Sequence, residues 1–131
     1  MKFLTPEQVL FIHSRLIDVT GGAHGLRDLG LLLSAISRPK ATFEGKNLYP
    51  DLFHKAAALF ESLLKNHPFV DGNKRTAIAA ASLFLRINGR VLETSQREME
   101  LFTLNMATGK VPLEVAAKWF RKYADHRDKD C

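Results

Sequence analysis

The chain has one cysteine in 131 residues, the terminal Cys131. No internal disulfide can form, which fits a reducing compartment. No apolar run approaches the roughly 20 residues that span a bilayer. The opening "MKFLTPEQ" reaches polar residues too early for a secretory leader. Together these absences predict a cytoplasmic protein with no membrane association. Internal repeats and low-complexity tracts are lacking too, and no strand pattern is strong enough to support a sheet. The basic residues are spread along the chain without a recognition-helix pattern, so no direct contact with nucleic acid is expected.

What is present is helical periodicity from end to end. At 131 residues, with 46% hydrophobic and 25% charged residues, the chain is expected to form one globular domain over 1–131 with a real core. "TPEQVLFIHSRLIDV" opens with Thr5 as N-cap, Pro6 at the first helical position and Gln8 three residues on. Val9, Ile12 and Leu16 follow at helical spacing. "GGAHG" ends this helix, and Asp28 caps a second, "LGLLLSAIS", which Pro39 stops. "PKATFEGKNLYP" reads as a loop or extended flap. A third helix spans about Asp51 to Asn66, with Phe53, Ala57, Phe60 and Leu64 on one stripe. A fourth, from about Asn73 to Ile87, is apolar almost all round in "TAIAAASLFLRI" and is predicted to be the buried centre of the fold. After a brief extended "RVLE", Ser95 and Glu98 form a capping box for a fifth helix bearing Met99, Phe102 and Met106. Pro112 starts a sixth, with Val115, Trp119 and Tyr123 inward. The charged tail, about 124–131, is expected to be solvated and frayed. The predicted fold is all-α: a compact single-domain bundle of about six helices with a short flap before the third.

One short run resists a purely structural explanation. "HPFVDGNKR", residues 67–75, places a histidine, an aspartate, an asparagine, a lysine and an arginine between a helix that ends and a helix that begins. The first turn of a helix has free N–H groups and a positive dipole end. Two cations there, Lys74 and Arg75, are disfavoured unless an anion is expected. With Gly72 allowing close backbone approach and Asn73 offering an amide, the run has the physics of a phosphate cradle. It lacks the spacing of a Walker A loop. Asp71 would repel phosphate unless a cation bridges them, and Mg²⁺ is held in that way. His67 can accept a proton near neutral pH. Phe69 should point down and anchor the loop. Taken singly, each residue has a plainer role: His67 as a helix C-cap, Asp71 as an N-cap, the basic pair as solvated charge. The net charge of +5 and pI of about 9.6 favour anionic partners without choosing among them.

The same run resembles the signature of the Fic/Doc superfamily, HPFx(D/E)GN(G/K)R. "GGAHGLRDLGLLLSAISRP", "TAIAAASLFLRINGR" and "MATGKVPLEVAAKWFRK" are similar to the family's early segment, central helix and closing helices, so the resemblance covers nearly the whole chain. It implies His67 as catalytic base, Asp71 as Mg²⁺ ligand, Gly72 and Asn73 as parts of an anion hole, Arg75 as phosphate-binding arginine and Phe69 as buried anchor. Lys74 replaces the second glycine of the AMP-transferring members, and Ile78 stands where they carry a further arginine. Both changes resemble the Doc, or "death on curing", branch of toxin–antitoxin pairs. Pro68 and Gly72 are closer to the Fic form. The resemblance therefore implies a toxin-type protein kinase that uses ATP and Mg²⁺ to phosphorylate a hydroxyl of a target protein, elongation factor Tu, and so blocks translation. AMP transfer to a protein hydroxyl is the alternative, and an inactive nucleotide- or protein-binding module a second. The chain carries no Ser/Thr-x-x-x-Glu-Gly/Asn inhibitory motif, which implies control by a separate antitoxin protein. In the wider family the flap registers the target, which makes Phe43 a possible target contact; equally, Phe43 and Tyr49 could tuck into the core.

Overall fold

The computed structural model describes residues 1–127. Six helices form in the predicted order: α1 (Pro6–Thr20), α2 (Leu29–Ser37), α3 (Leu52–Asn66), α4 (Asn73–Ile87), α5 (Gln96–Thr108) and α6 (Leu113–Ala124). Two short antiparallel pairs accompany them: β1 (Thr42–Phe43) with β2 (Lys46–Asn47), and β3 (Arg90–Val91) with β4 (His126–Arg127). The first pair is the predicted flap. The second corrects the expectation of a frayed tail, because residues 126 and 127 pair with the extended piece after α4. Residues 128–131, including Cys131, lie outside the described residues. No helix among the described residues is long and apolar enough to cross a membrane.

The caps follow the sequence closely. Thr5 and Gln8 close a reciprocal box at the start of α1, and the Asp28 carboxylate accepts from the Leu31 N–H to start α2. Asp51 does the same for α3 through His54. The capping box expected at α5 is only half made. Ser95 accepts from the Glu98 N–H, but the Glu98 carboxylate instead accepts from Trp119 Nε1 on α6.

The centre of the bundle is α3, not α4. Phe53, Ala57, Phe60 and Leu64 are buried as predicted, and so are Ala56, Ala58, Leu59 and Leu63 from the remaining faces. This helix packs against α2, α4, α5 and α6. Its three consecutive alanines let those neighbours approach closely. In α4, by contrast, Ile78, Ala79 and Ser82 are only partly buried and border an open groove. On α6 the inward residues are Ala116, Ala117, Phe120 and Ala124. Val115 is exposed, and Trp119 lies half-buried with its ring stacked on Phe102. An apolar stripe alone could not say that small alanines, rather than Val115, would take the inner line.

The flap is anchored at its base and exposed at its tip. Arg38 donates from Nε to the Tyr49 hydroxyl, and its Nη1 bonds Glu61 and Ser62 on α3. The buried Lys55 ammonium donates to the Tyr49 carbonyl. Tyr49 is thereby half-buried, whereas Phe43 is 67% exposed and does not tuck into the core.

Candidate active site

Residues 67–75 cross from the end of α3 to the start of α4, at the surface between α1 and the segment that follows it. His67 caps α3 in the left-handed conformation, φ 49° and ψ 58°. Histidine is among the few side-chain residues enriched there. The main chain that carries it is secured by Arg27. Its Nε donates to the His67 carbonyl at 2.6 Å and its Nη2 to the Asn66 carbonyl at 2.8 Å. The backbone N–H groups of Arg27 and Asp28 both donate to the Pro68 carbonyl, and the Val70 N–H donates to the Gly25 carbonyl. The imidazole of His67 is exposed and makes no hydrogen bond among the described residues.

Phe69 is buried, as expected of an anchor. Its ring stacks on that of His13 from α1, with centroids 3.8 Å apart and planes 5° from parallel. Asn73 folds its amide back onto the same residue: Oδ1 accepts from the Phe69 N–H at 3.0 Å and Nδ2 donates to the Phe69 carbonyl at 2.9 Å. The Asn73 side chain thus closes the loop, a use its place in an anion hole did not foretell.

Gly72 has φ 77°. A Cβ there would stand 2.9 Å from Ile17 Cδ1 and 3.7 Å from the His13 ring. The glycine is required by its left-handed backbone and by the close approach of α1, in addition to any approach of an anion.

The Asp71 carboxylate is exposed and receives two backbone N–H groups, Gly72 on Oδ1 at 2.8 Å and Ala23 on Oδ2 at 3.2 Å. The Ala23 N–H first and the Gly72 N–H next, helped by the nearby Arg75 charge, hold its pKa below the ordinary carboxylate value. Asp71 is therefore ionised at neutral pH, and each oxygen, accepting one N–H, retains further acceptor capacity. That donor set suits Mg²⁺, which is bound by one or two carboxylates together with water and substrate phosphate. It would not by itself make a closed metal cage. The described residues contain no group of three or more His, Cys, Asp or Glu side chains placed to hold a metal.

Among the described residues no side chain caps the N-terminus of α4. Its first-turn N–H groups and positive dipole end are open to an anion. Lys74 and Arg75 are both exposed on that turn. Arg75 Nη1 donates to the Thr20 hydroxyl at 3.0 Å, which holds the guanidinium against the end of α1. Both residues border a groove of about 580 Å³ between α1, α4 and α5, floored by apolar side chains including Leu16, Ile78 and Met99.

The structure thus brings His67, Asp71, Gly72, Asn73, Lys74 and Arg75 into one continuous turn over Phe69. Phe43 lies on a separate element, the exposed flap. Three contributors were not singled out in the sequence: His13, Ile17 and Arg27. One signal existed for the first two. Val9, His13 and Ile17 are spaced by four, and all three are buried. A histidine on such a line is a polar group at a core position and needs a partner. For Arg27 no local pattern pointed to a carbonyl forty residues away.

Comparison with known proteins agrees with this architecture. A family model described as the Fic/DOC family matches residues 3–85. Toxin Doc of Mycolicibacterium smegmatis is 59% identical over 69 residues, which is 53% of this chain and 53% of that protein, so this match spans about half of each. Protein kinase doc of Escherichia phage P1 is 33% identical over 122 residues, 93% of this chain and 95% of that protein. Signature loop, helical frame and near-full-length alignment lead to one conclusion: the chain belongs to the Fic/DOC family, in its Doc toxin branch.

Proposed function

We propose that this protein is a Doc-type toxin kinase, which transfers the γ-phosphate of ATP to a hydroxyl of a target protein with the help of Mg²⁺. The observation that carries this reading is an exposed His67, its ring without a partner among the described residues, joined by one short turn to a helix start that no described side chain caps and that bears Lys74 and Arg75. A base and an anion site are thus next to each other in the chain and pinned to one scaffold. The near-full-length relative named a protein kinase supports phosphoryl transfer as the chemistry.

In this mechanism the N–H groups of the first turn of α4, with Lys74 and Arg75, bind the phosphates of ATP. Asp71 would hold Mg²⁺, which would neutralise charge on the phosphate oxygens. An imidazole nitrogen of His67 accepts the proton of the target hydroxyl as that oxygen attacks the γ-phosphorus. The new P–O bond forms while the bond from the γ-phosphorus to the β–γ bridging oxygen breaks. ADP leaves with that electron pair, and the His67 proton passes to solvent. Pinning of the loop by Phe69, Asn73 and Arg27 keeps these groups in place before substrate arrives.

AMP transfer would direct the same hydroxyl to the α-phosphorus and release pyrophosphate. Lys74 and Ile78 disfavour it. Ile78 sits on the apolar floor of the groove beside Arg75 and offers no second charged grip on a phosphate. Elongation factor Tu is the target we expect, and Phe43 on the exposed flap a contact to it. A separate antitoxin that covers the groove beside Lys74 and Arg75 would provide control. The test is to mix the protein, Mg²⁺ and elongation factor Tu with ATP labelled at the α- or the γ-phosphate. Label from the γ-position alone is expected. Label from the α-position would establish AMP transfer instead.

A further inference from the structure

His13 has no role in the mechanism above, yet it is 4% exposed and lies directly beneath the signature loop. Its Nε2 is 2.8 Å from the Asp71 carbonyl oxygen. A carbonyl can only accept, so the ring must donate through Nε2–H, which fixes the tautomer. The ring face is stacked on Phe69. The space above it is kept open by the missing side chain of Gly72.

The consequence lies in the peptide plane. In a trans peptide the C=O and the following N–H point in opposite directions. With the Asp71 carbonyl drawn down to His13, the Gly72 N–H must point away from α1, and there it donates to Asp71 Oδ1. One hydrogen bond from α1 therefore sets the orientation of the Asp71–Gly72 peptide, and that peptide sets the carboxylate. The Ala23 N–H holds the other oxygen.

We propose that His13 is a positioning residue for the reaction: its Nε2–H orients the Asp71–Gly72 peptide so that the Asp71 carboxylate faces Mg²⁺ and phosphate. The proposal rests on Asp71 being the metal ligand, and its test separates the two ideas. His13→Phe keeps a ring for stacking on Phe69 and removes the donor. His13→Gln restores a donor at a similar reach. Each variant is first checked for parent-like helical content.

Two readouts are needed. The first uses no substrate: the NMR spectrum of the ¹⁵N-labelled protein at one fixed pH. The parent should show His13 protonated at Nε2. Its Gly72 amide proton should show the downfield shift of a carboxylate-bonded N–H, lost in His13→Phe and recovered in His13→Gln. The second is the Mg²⁺ concentration for half-maximal target labelling. It should rise ~10-fold or more in His13→Phe, the usual effect of removing a group that orients a metal ligand, and return close to the parent value in His13→Gln.

A Gly72 amide that does not move in a folded His13→Phe variant overturns the proposal, as does a parent His13 protonated at Nδ1 and not at Nε2. The tautomer needs no variant, so a His13→Phe protein that fails to fold still leaves the idea refutable. If the amide moves but the Mg²⁺ requirement does not, His13 orients the peptide without serving the metal site and the catalytic part of the proposal is rejected; the Mg²⁺ curve of Asp71→Asn separately tells whether Asp71 is the ligand.

Discussion

Helix α3 carries a histidine at each end, and the two are used in opposite ways. His54, in the first turn, is bonded on both sides. Nδ1 meets Asp51 Oδ2 at 2.6 Å and Nε2 meets Glu114 Oε1 at 2.6 Å, so the ring ties the start of α3 to the start of α6. Arg121 stands 3.6 Å from Asp51 and completes the cluster. Burial alone would lower the pKa of His54, but the hydrogen bonds to Glu114 and Asp51 and their charges outweigh it, and the net shift is upward. His67, at the other end, has a secured backbone and a ring with no hydrogen bond among the described residues. A histidine whose two nitrogens are both engaged is a structural link. One whose main chain is clamped while its nitrogens stay open is equipped for proton transfer. The partners, not the residue type, separate the two.

The comparison breaks first, and hardest, at the His67 end. His67→Asn keeps a residue suited to the left-handed conformation, so the melting temperature should hold. Transfer to the target should fall ~10²–10⁴-fold, the usual loss on removing a general base. Parent-like turnover by the folded variant would remove His67 from the mechanism. Asp71→Asn should next raise the Mg²⁺ needed for half-maximal activity by ~10-fold or more, since it strips the charge from the ligand. An unchanged Mg²⁺ curve would put the metal elsewhere.

Gly72→Ala tests why the loop needs a glycine. Strain at φ 77° and the contact with Ile17 should cost about 1–3 kcal/mol in chemical denaturation. Ile17→Val, which removes Cδ1, should recover part of that loss in the double variant. If Gly72→Ala is as stable as the parent and only activity drops, anion approach rather than packing explains the residue.

At the structural end, His54→Gln should cost stability within roughly 1 kcal/mol, because Asp51 and Glu114 are partly solvated. The sign follows from the raised pKa. The protonated ring is favoured in the folded state, so its contribution is fully present below about pH 6.5, the unfolded value, and is lost as pH rises through the folded one. Thermal melts of parent and variant should differ most near pH 6 and converge at alkaline pH. A gap that widens as pH rises would contradict the link. Asp51 has the opposite dependence. Burial would raise its pKa, but the N–H and ring of His54 lower it, so its contribution is lost only as pH falls through the acid range.

The smallest stability change belongs to Phe43→Ala, within about 0.5 kcal/mol for a side chain so exposed. Target modification should fall while ATP binding persists. Full activity of this variant would exclude Phe43 from target contact.

Much of this was legible in the chain. Capping residues Thr5, Asp28 and Ser95 marked three helix starts, because a cap works through its own near neighbours. The prolines and glycines placed the flap and the breaks. "HPFVDGNKR" announced a helix-end, helix-start turn loaded with charge, and its resemblance to a known signature extended to the family. Those features are local, and local chemistry is written in order along the sequence.

What only the tertiary structure decided depends on partners far apart in the chain. Periodicity cannot distinguish a helix buried on every side from one buried on two, so the central place of α3 emerged from packing. The same holds for the uses of polar side chains. Asn73, read in the sequence as part of an anion hole, closes the loop onto Phe69 through its amide. Glu98 could have completed its box and instead takes Trp119. His13 looked like one more member of α1 until folding brought Asp71 within 2.8 Å of it. A side chain's hydrogen-bonding capacity is fixed by its type, but which group it satisfies is settled by whatever the fold places within reach.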